Sequence, residues 1–378
     1  MPVVTCIEDL RELSRKRVAR AIFDYVDRGS YSEATLRANR ADLESLALRQ
    51  RVGIDVDRRS LRTTMAGHEV SMPVALAPIG LCGLNWADGE ILAARAAQRF
   101  GVPFTLSTMS ICSIEDVAEA VDKPFWFQLY VMRDRGFAAA LIARAKAAGC
   151  SALVLTLDLQ VQGQRHRDLK NGLAVPPVLT LGTALDILRK PGWALNVLRG
   201  KRKSFGNLQG RIPNAKNLTT LSQWIAGQFD PTLSWKDVEW VKKLWGGKLI
   251  LKGILDAEDA KIAAQSGVDA IVVSNHGGRQ LDGAVSSIRA LPEIRNVVQG
   301  KAEVWFDGGI RSGQDLLKAL AMGAHAALIG RAFVYGLGAM GEAGVTRALE
   351  IIRAELDVTM ALCGLRDVKD ASPAILRA

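Results

Sequence analysis

The chain has few of the features that would commit it to a membrane span, an oxidising compartment or a metal. No segment reaches about eighteen consecutive uncharged apolar residues, the length a spanning helix needs. The opening residues Met1-Pro2-Val3-Val4-Thr5-Cys6-Ile7-Glu8-Asp9 lack the apolar core of a secretory signal, so a cytoplasmic protein is expected. Its five cysteines (Cys6, Cys82, Cys112, Cys150, Cys363) are odd in number, widely scattered and form no Cys-x-x-Cys pair. That argues against a disulfide scaffold and against a zinc or redox-dithiol site, and leaves reduced, mostly buried thiols. Histidine is scarce too: His68, His166, His276 and His325 fall in different elements, so no metal site is expected.

What is present points to a large folded core. Of 378 residues 49% are hydrophobic, and glycine and proline are spread along the length rather than clustered, which excludes disorder. A net charge of +10 invites a polyanion-binding reading, but most of the excess lies in one segment. Arg165, Arg167, Lys170, Arg189, Lys190, Arg199, Lys201, Arg202 and Lys203 face only Asp168 and Asp186 there.

From residue 74 onward, short β-branched or aromatic runs alternate with longer segments of helical period, the mark of parallel βα units. The strand runs are Val74–Ala77, Phe104–Ser107, Phe125–Tyr130, Ala152–Asp158, Lys248–Gly253, Ala270–His276, Glu303–Gly308 and Ala326–Gly330. Helices are expected at Glu90–Phe100, Asp134–Ala148, Asp256–Ser266, Gly313–Met322 and, after the last strand, Ala343–Leu362. Eight such units predict an α/β TIM (β/α)8 barrel in one domain over residues 1–378, with an N-terminal helical cap over 1–70. The alternative, an open doubly wound sheet, is disfavoured because the first βα turn, Ala77-Pro78-Ile79-Gly80-Leu81-Cys82-Gly83, does not match Gly-x-Gly-x-x-Gly.

In a barrel the active site gathers at the C-terminal strand ends, which here carry Ser107, Gln128, Tyr130, Thr156, Asp158, Lys252, His276, Asp307 and Arg331. Within Ser274-Asn275-His276-Gly277-Gly278-Arg279-Gln280, a base that takes a proton near neutral pH sits three residues from a planar cation shaped to grip a carboxylate. Taken alone, that pair could equally be a well-packed strand end. After the seventh strand, Asp307-Gly308-Gly309-Ile310-Arg311 and, after the eighth, Gly330-Arg331 combine free backbone N–H groups with two arginines, as a phosphate site requires. Gln128, Thr156 and Ser107 suit a polar ring edge, and Lys252 is a fixed positive charge that would favour a reduced isoalloxazine.

These motifs, together with Ala77-Pro78-Ile79-Gly80, Gln128-Leu129-Tyr130, Thr156-Leu157-Asp158 and Lys252-Gly253, resemble the FMN-dependent 2-hydroxy acid dehydrogenases and oxidases. Within that family the chain is most similar to the bacterial quinone- or cytochrome-linked L-lactate dehydrogenases. The resemblance implies that His276 takes the substrate's proton while Asp158 pairs with the imidazolium and raises its pKa. It implies that Arg165, Arg279 and Tyr25 grip the carboxylate and that Tyr130 bonds the hydroxyl. It assigns FMN to Ala77, Ser107, Gln128, Thr156, Lys252, Ser274, Asp307, Gly309, Arg311, Gly330 and Arg331. Gly80 stands where oxidases of the family often carry alanine, a hint towards a dehydrogenase passing electrons to a quinone or cytochrome. The alternatives are an oxygen-using 2-hydroxy acid oxidase acting on glycolate or mandelate and, from another class, a colourless barrel binding nucleic acid or membrane. A homotetramer is the oligomer the family implies.

After strand four the chain runs for roughly ninety residues, against the two to six usual for a βα loop. This basic insertion, about 165–235, places the apolar segments Val178–Leu188 and Trp193–Leu198 beside Arg189, Lys190, Arg199 and Lys201–Lys203. Such faces fit either an active-site lid or helices lying on an anionic membrane surface, and the resemblance favours peripheral attachment to the inner face of the cell membrane. Deleting roughly 178–205 is expected to leave a soluble enzyme that still reduces a dye.

Overall fold

The structure is a computed structural model and describes residues 3–173, 180–208, 224 and 227–377. The eight apolar runs form parallel strands β1 (Val74–Leu76), β2 (Thr105–Ser107), β3 (Trp126–Leu129), β4 (Ala152–Thr156), β5 (Lys248–Ile254), β6 (Ala270–Val273), β7 (Glu303–Asp307) and β8 (Ala326–Ile329). They pair in the order β1-β8-β7-β6-β5-β4-β3-β2, and a parallel bridge between Leu76 and Phe104 closes the ring. This is the expected TIM barrel. Several strands stop earlier than the apolar pattern implied, at Leu76, Leu129, Thr156 and Val273. The residues beyond, Ala77, Tyr130 and His276 among them, leave the ladder to line a cavity. β5 instead runs on to Ile254 across a bulge at Gly253.

Inward-facing side chains fill the barrel. Trp126 and Trp305 stack at 5.3 Å between ring centroids, and alanines 75, 152, 270 and 326 make room for them. A hairpin of Thr63–Met65 with His68–Val70 adds Met65, Ala66 and Val70 to this inner cluster and seals the N-terminal end. Outside, the helix ring and the cap helices Ile7–Arg17, Arg20–Asp27 and Ala34–Ser45 share a second, larger apolar cluster.

After β8 the pattern missed a helix. β8 is followed by Arg331–Met340 before the expected long helix, which spans Glu342–Leu362. The two pack so closely that a Cβ on Gly336 would lie 2.2 Å from the Gly344 carbonyl oxygen, so only glycine fits this crossing.

The insertion runs from residue 157 to 234, because β4 stops at Thr156 and the helix completing the fourth unit begins at Trp235, which ends it where expected but makes it shorter than roughly ninety residues. It contains helices Leu181–Leu188 and Pro191–Arg199, and residues Val178 and Leu179 of the apolar segment lie outside the described residues. Polar contacts fix the two helices: Trp193 Nε1 donates to the Leu84 carbonyl at 2.8 Å, the Ala87 N–H to Asn196 Oδ1 at 2.9 Å, and the Arg20 N–H to Asp186 Oδ2 at 2.6 Å.

Candidate active site

The heptapeptide after β6 is the organising segment, and nearly every residue has a partner. Ser274 Oγ donates to Asp307 Oδ2 at 2.7 Å and accepts from Lys252 Nζ at 2.9 Å and from the His276 N–H at 3.1 Å. The Asn275 side chain exchanges two 2.8 Å hydrogen bonds with Asn39 and accepts the Gly278 N–H at 3.1 Å. Gln280 Nε2 donates to the carbonyls of Asp158 and Val161 at 2.8 and 3.0 Å. So held, the chain turns through three left-handed residues, His276, Gly277 and Gly278, with φ of 57°, 66° and 74°. A non-glycine residue there costs about 1–3 kcal/mol, which the surrounding bonds offset. At Gly277 a Cβ would stand 2.7 Å from Arg331 Nη1 and at Gly278 2.6 Å from the Leu36 nitrogen, so both positions need glycine.

The turn brings His276 Nδ1 to 2.9 Å from Asp158 Oδ1. Nε2 is then the ring nitrogen left for chemistry, in a residue that lines the cavity. Burial pulls the His276 pKa down, Asp158 pushes it up, and Lys252 and Arg165 pull it down again; the result lies below the ordinary histidine value. Asp158 thus raises it as expected, but burial and the neighbouring cations outweigh the carboxylate. Burial pushes Asp158 up, but His276 and Lys252 outweigh burial and hold it below the usual carboxylate range. The resting pair is thus a neutral imidazole beside a carboxylate. Tyr130, lining the same cavity, is pushed up by burial and by Asp158, so its phenol stays protonated. Burial works against Lys252's charge, yet Asp307, whose Oδ2 is 2.9 Å away, and Asp158 hold its pKa above the ordinary lysine value.

Two arginines meet at Tyr25 of the cap. The Arg279 and Arg165 guanidiniums lie 4.7 and 5.9 Å from its ring centroid, and Arg165 Nε donates to the Arg279 carbonyl at 3.4 Å. Burial, and next the charge of Arg165, pull Arg279 below the usual arginine range. A site that stresses its own cations stabilises an anion placed between them.

The cavity encloses about 410 Å³ at the C-terminal end of the barrel. Of the anticipated site residues, Gln128, Thr156, Asp158 and Ser274 stand behind its wall and the others line it. Asp158 and Ser274 brace His276 and Lys252; Gln128 accepts a hydrogen bond from Ser107 Oγ at 3.1 Å. Gln128 Nε2 and Thr156 Oγ1 are buried without a partner among the described residues, as donors reserved for a ligand would be. Below Arg311 and Arg331, Gly309 (φ 106°) comes so near the cap that a Cβ would meet the Asn39 carbonyl oxygen at 2.6 Å. Gly330 caps the helix Arg331–Met340, and Gly330 and Arg331 line the cavity at that N-terminus, the helix end at which a phosphate is stabilised.

Sequence reasoning gave no role to Asn275 and Gln280, which lock the heptapeptide, nor to Gly253, Met109, Phe205 and Phe229. Their only signal was nearness to residues already singled out, and for Phe205 there was none.

The geometry has counterparts in known proteins. An L-lactate dehydrogenase from Haemophilus influenzae (strain PittEE) is 47% identical over 375 residues, covering 99% of this chain and 98% of the relative. One from Caulobacter vibrioides (strain NA1000 / CB15N) is 48% identical with the same coverage. Among solved structures, the monotopic membrane protein (S)-mandelate dehydrogenase superposes with a TM-score of 0.94 at 37% identity, over 100% of both chains. The family model described as FMN-dependent dehydrogenase matches residues 14–378, and the chain belongs to that family.

Proposed function

We propose that the chain oxidises an L-2-hydroxy acid, L-lactate to pyruvate first among them, and passes the electrons to a quinone or cytochrome. The observation that carries this reading is one cavity joining a neutral base, His276 braced by Asp158 at 2.9 Å, to two arginines gathered on Tyr25. The names of its 47% and 48% identical relatives favour lactate.

The residues present fit FMN. The unpartnered Gln128 Nε2 and Thr156 Oγ1, with Ser107 and the backbone at Ala77, would take its polar ring edge. Lys252, fixed by Ser274 and Asp307, would lend that edge a positive charge, while Gly309, Arg311, Gly330 and Arg331 would hold the phosphate. FMN supplies the two-electron acceptor when bound. Arg165 and Arg279, with Tyr25, orient the substrate carboxylate, and the protonated Tyr130 bonds the hydroxyl. His276 Nε2 takes the proton released as C2 is oxidised, and Asp158 balances the imidazolium that results.

Adding L-lactate anaerobically to the purified protein should bleach a yellow flavin absorption. A colourless protein, or one that lactate, glycolate and mandelate all fail to bleach, overturns the reading. The resemblance supports a dehydrogenase through Gly80, where oxidases of the family often carry alanine; a Cβ there would lie 3.1 and 3.2 Å from the Met109 carbonyl oxygen and Cβ. Fast peroxide formation under air, undiminished by added quinone, would instead mark an oxidase.

We also propose peripheral attachment to an anionic leaflet on the inner face of the membrane. Among the described residues no helix is long and apolar enough to cross a membrane. Leu181, Leu188 and Leu198 of the insertion nonetheless stand 78%, 75% and 65% exposed beside Arg189, Lys190 and Arg199, as an interfacial surface requires. The protein should sediment with anionic vesicles, and Leu181→Gln, Leu188→Gln and Leu198→Gln together should abolish this. A wild-type protein that never sediments with them sinks the idea.

A further inference from the structure

The insertion does two things in two places. Its middle exposes leucines, whereas its return, Arg202–Leu208, is riveted to the barrel. Arg202 pairs with Asp88 and Asp116, each at 2.8 Å. Asn207, fully buried, accepts the Ile114 N–H at 2.9 Å and donates to the Ser107 carbonyl at 3.2 Å and to Ser110 Oγ at 3.0 Å. Gly206 fits because it has no side chain, since a Cβ would stand 2.5 Å from the Ser113 nitrogen. Leu208 is buried against Met132, and Met109 and Phe205 pack on that pair.

This anchoring delivers Phe205 to the cavity wall with Met109 and Phe229, and the Phe229 ring meets Tyr130 edge-on at 6.4 Å. The polar groups around the substrate position, Arg165, Arg279, Tyr130 and His276, are taken up by its carboxylate, hydroxyl and proton. The apolar wall remains for whatever C2 carries.

We propose that Phe205 sets the size of the substrate side chain, and that Asn207 is the positioning residue that holds it there. The inference rests on the 2-hydroxy acid reading above. It also moves the boundary of the dispensable insertion: deleting as far as residue 205 would remove part of the pocket, so the leucine substitutions are the better probe of membrane attachment.

The test is kcat/KM for L-lactate against L-2-hydroxyoctanoate in the full-length flavoprotein. Phe205→Ala should raise the ratio of the long acid to lactate by about tenfold or more, and Phe205→Trp should lower it, since a hydrophobic pocket discriminates by such factors per group added or removed. Asn207→Ala should shift the ratio in the same direction as Phe205→Ala, through KM more than kcat, with flavin content unchanged. The triple leucine variant should keep the wild-type ratio. An active wild type whose ratio stays within twofold in both Phe205 variants overturns the role of Phe205. A wild type that no 2-hydroxy acid reduces overturns the functional reading itself, and this inference with it.

Discussion

The two ends of the barrel are built from the same eight strands and differ in how many polar groups they leave unpaired. At the N-terminal end the hairpin seals a stack of tryptophans and alanines, and Glu303 Oε2 there is engaged by the Trp305 indole at 2.8 Å and the Ala66 N–H at 3.3 Å, while Thr105 Oγ1, level with Trp126, is buried without a partner among the described residues. At the C-terminal end, Gln128 Nε2, Thr156 Oγ1 and Asp158 Oδ2 are buried without partners among the described residues, and cations crowd one another around Tyr25. Buried polar atoms left unpaired cost about 1–3 kcal/mol each, so the stable end of the barrel offsets what the ligand-binding end gives up.

Substitutions at the two ends should therefore separate turnover from stability. The largest loss of turnover after the base itself is expected for Arg279→Lys. A point charge replaces a planar fork, so kcat/KM for lactate should fall by about a hundredfold or more, chiefly through KM, with flavin content intact. An unchanged KM would mean that the carboxylate binds elsewhere. Next comes Gly253→Ala. Its φ of 99° and a Cβ only 2.5 Å from Asp158 Cγ would force the brace of His276 aside, and a displacement of that kind costs roughly a hundredfold in rate.

The pH profile is a milder probe. Because His276 lies below its ordinary value of 6.5, kcat/KM should stay level as pH falls to that point and decline only below it. Asp158 pushes this pKa up, so Asp158→Asn should move the acid limb to lower pH. An acid limb above 6.5 in the wild type would contradict the burial argument. The smallest effect on turnover belongs to the sealed end. Trp305→Ala should cost about 3–5 kcal/mol of stability in denaturant melts while kcat/KM of the folded enzyme stays within about twofold. A variant equally impaired in turnover would erase the contrast between the ends.

The barrel was legible because buried parallel strands are continuous apolar runs, and such runs recur eight times. The helix Arg331–Met340 was not, since Arg-Ala-Phe-Val-Tyr-Gly-Leu-Gly-Ala-Met is apolar on every side and carries glycines that usually mark loops. At the site, residues with distinctive chemistry could be read, and the structure brings His276, Arg279, Arg165, Tyr25, Tyr130 and Lys252 to one cavity. The upward push of Asp158 on His276 was legible, but the net downward direction was not, because it depends on how much burial opposes Asp158, which the order of residues does not state. Phe205 was invisible for a different reason. An aromatic residue near the end of a long insertion signals nothing until Asn207 is seen pinning it to the second strand's loop.

The central claim, that the open end of the barrel is a flavin site with His276 as its base, is tested most directly by anaerobic stopped-flow mixing of the His276→Gln protein with L-lactate. The account predicts a yellow protein whose flavin absorption bleaches at least about a hundredfold more slowly than the wild type's. Bleaching at the wild-type rate would contradict it.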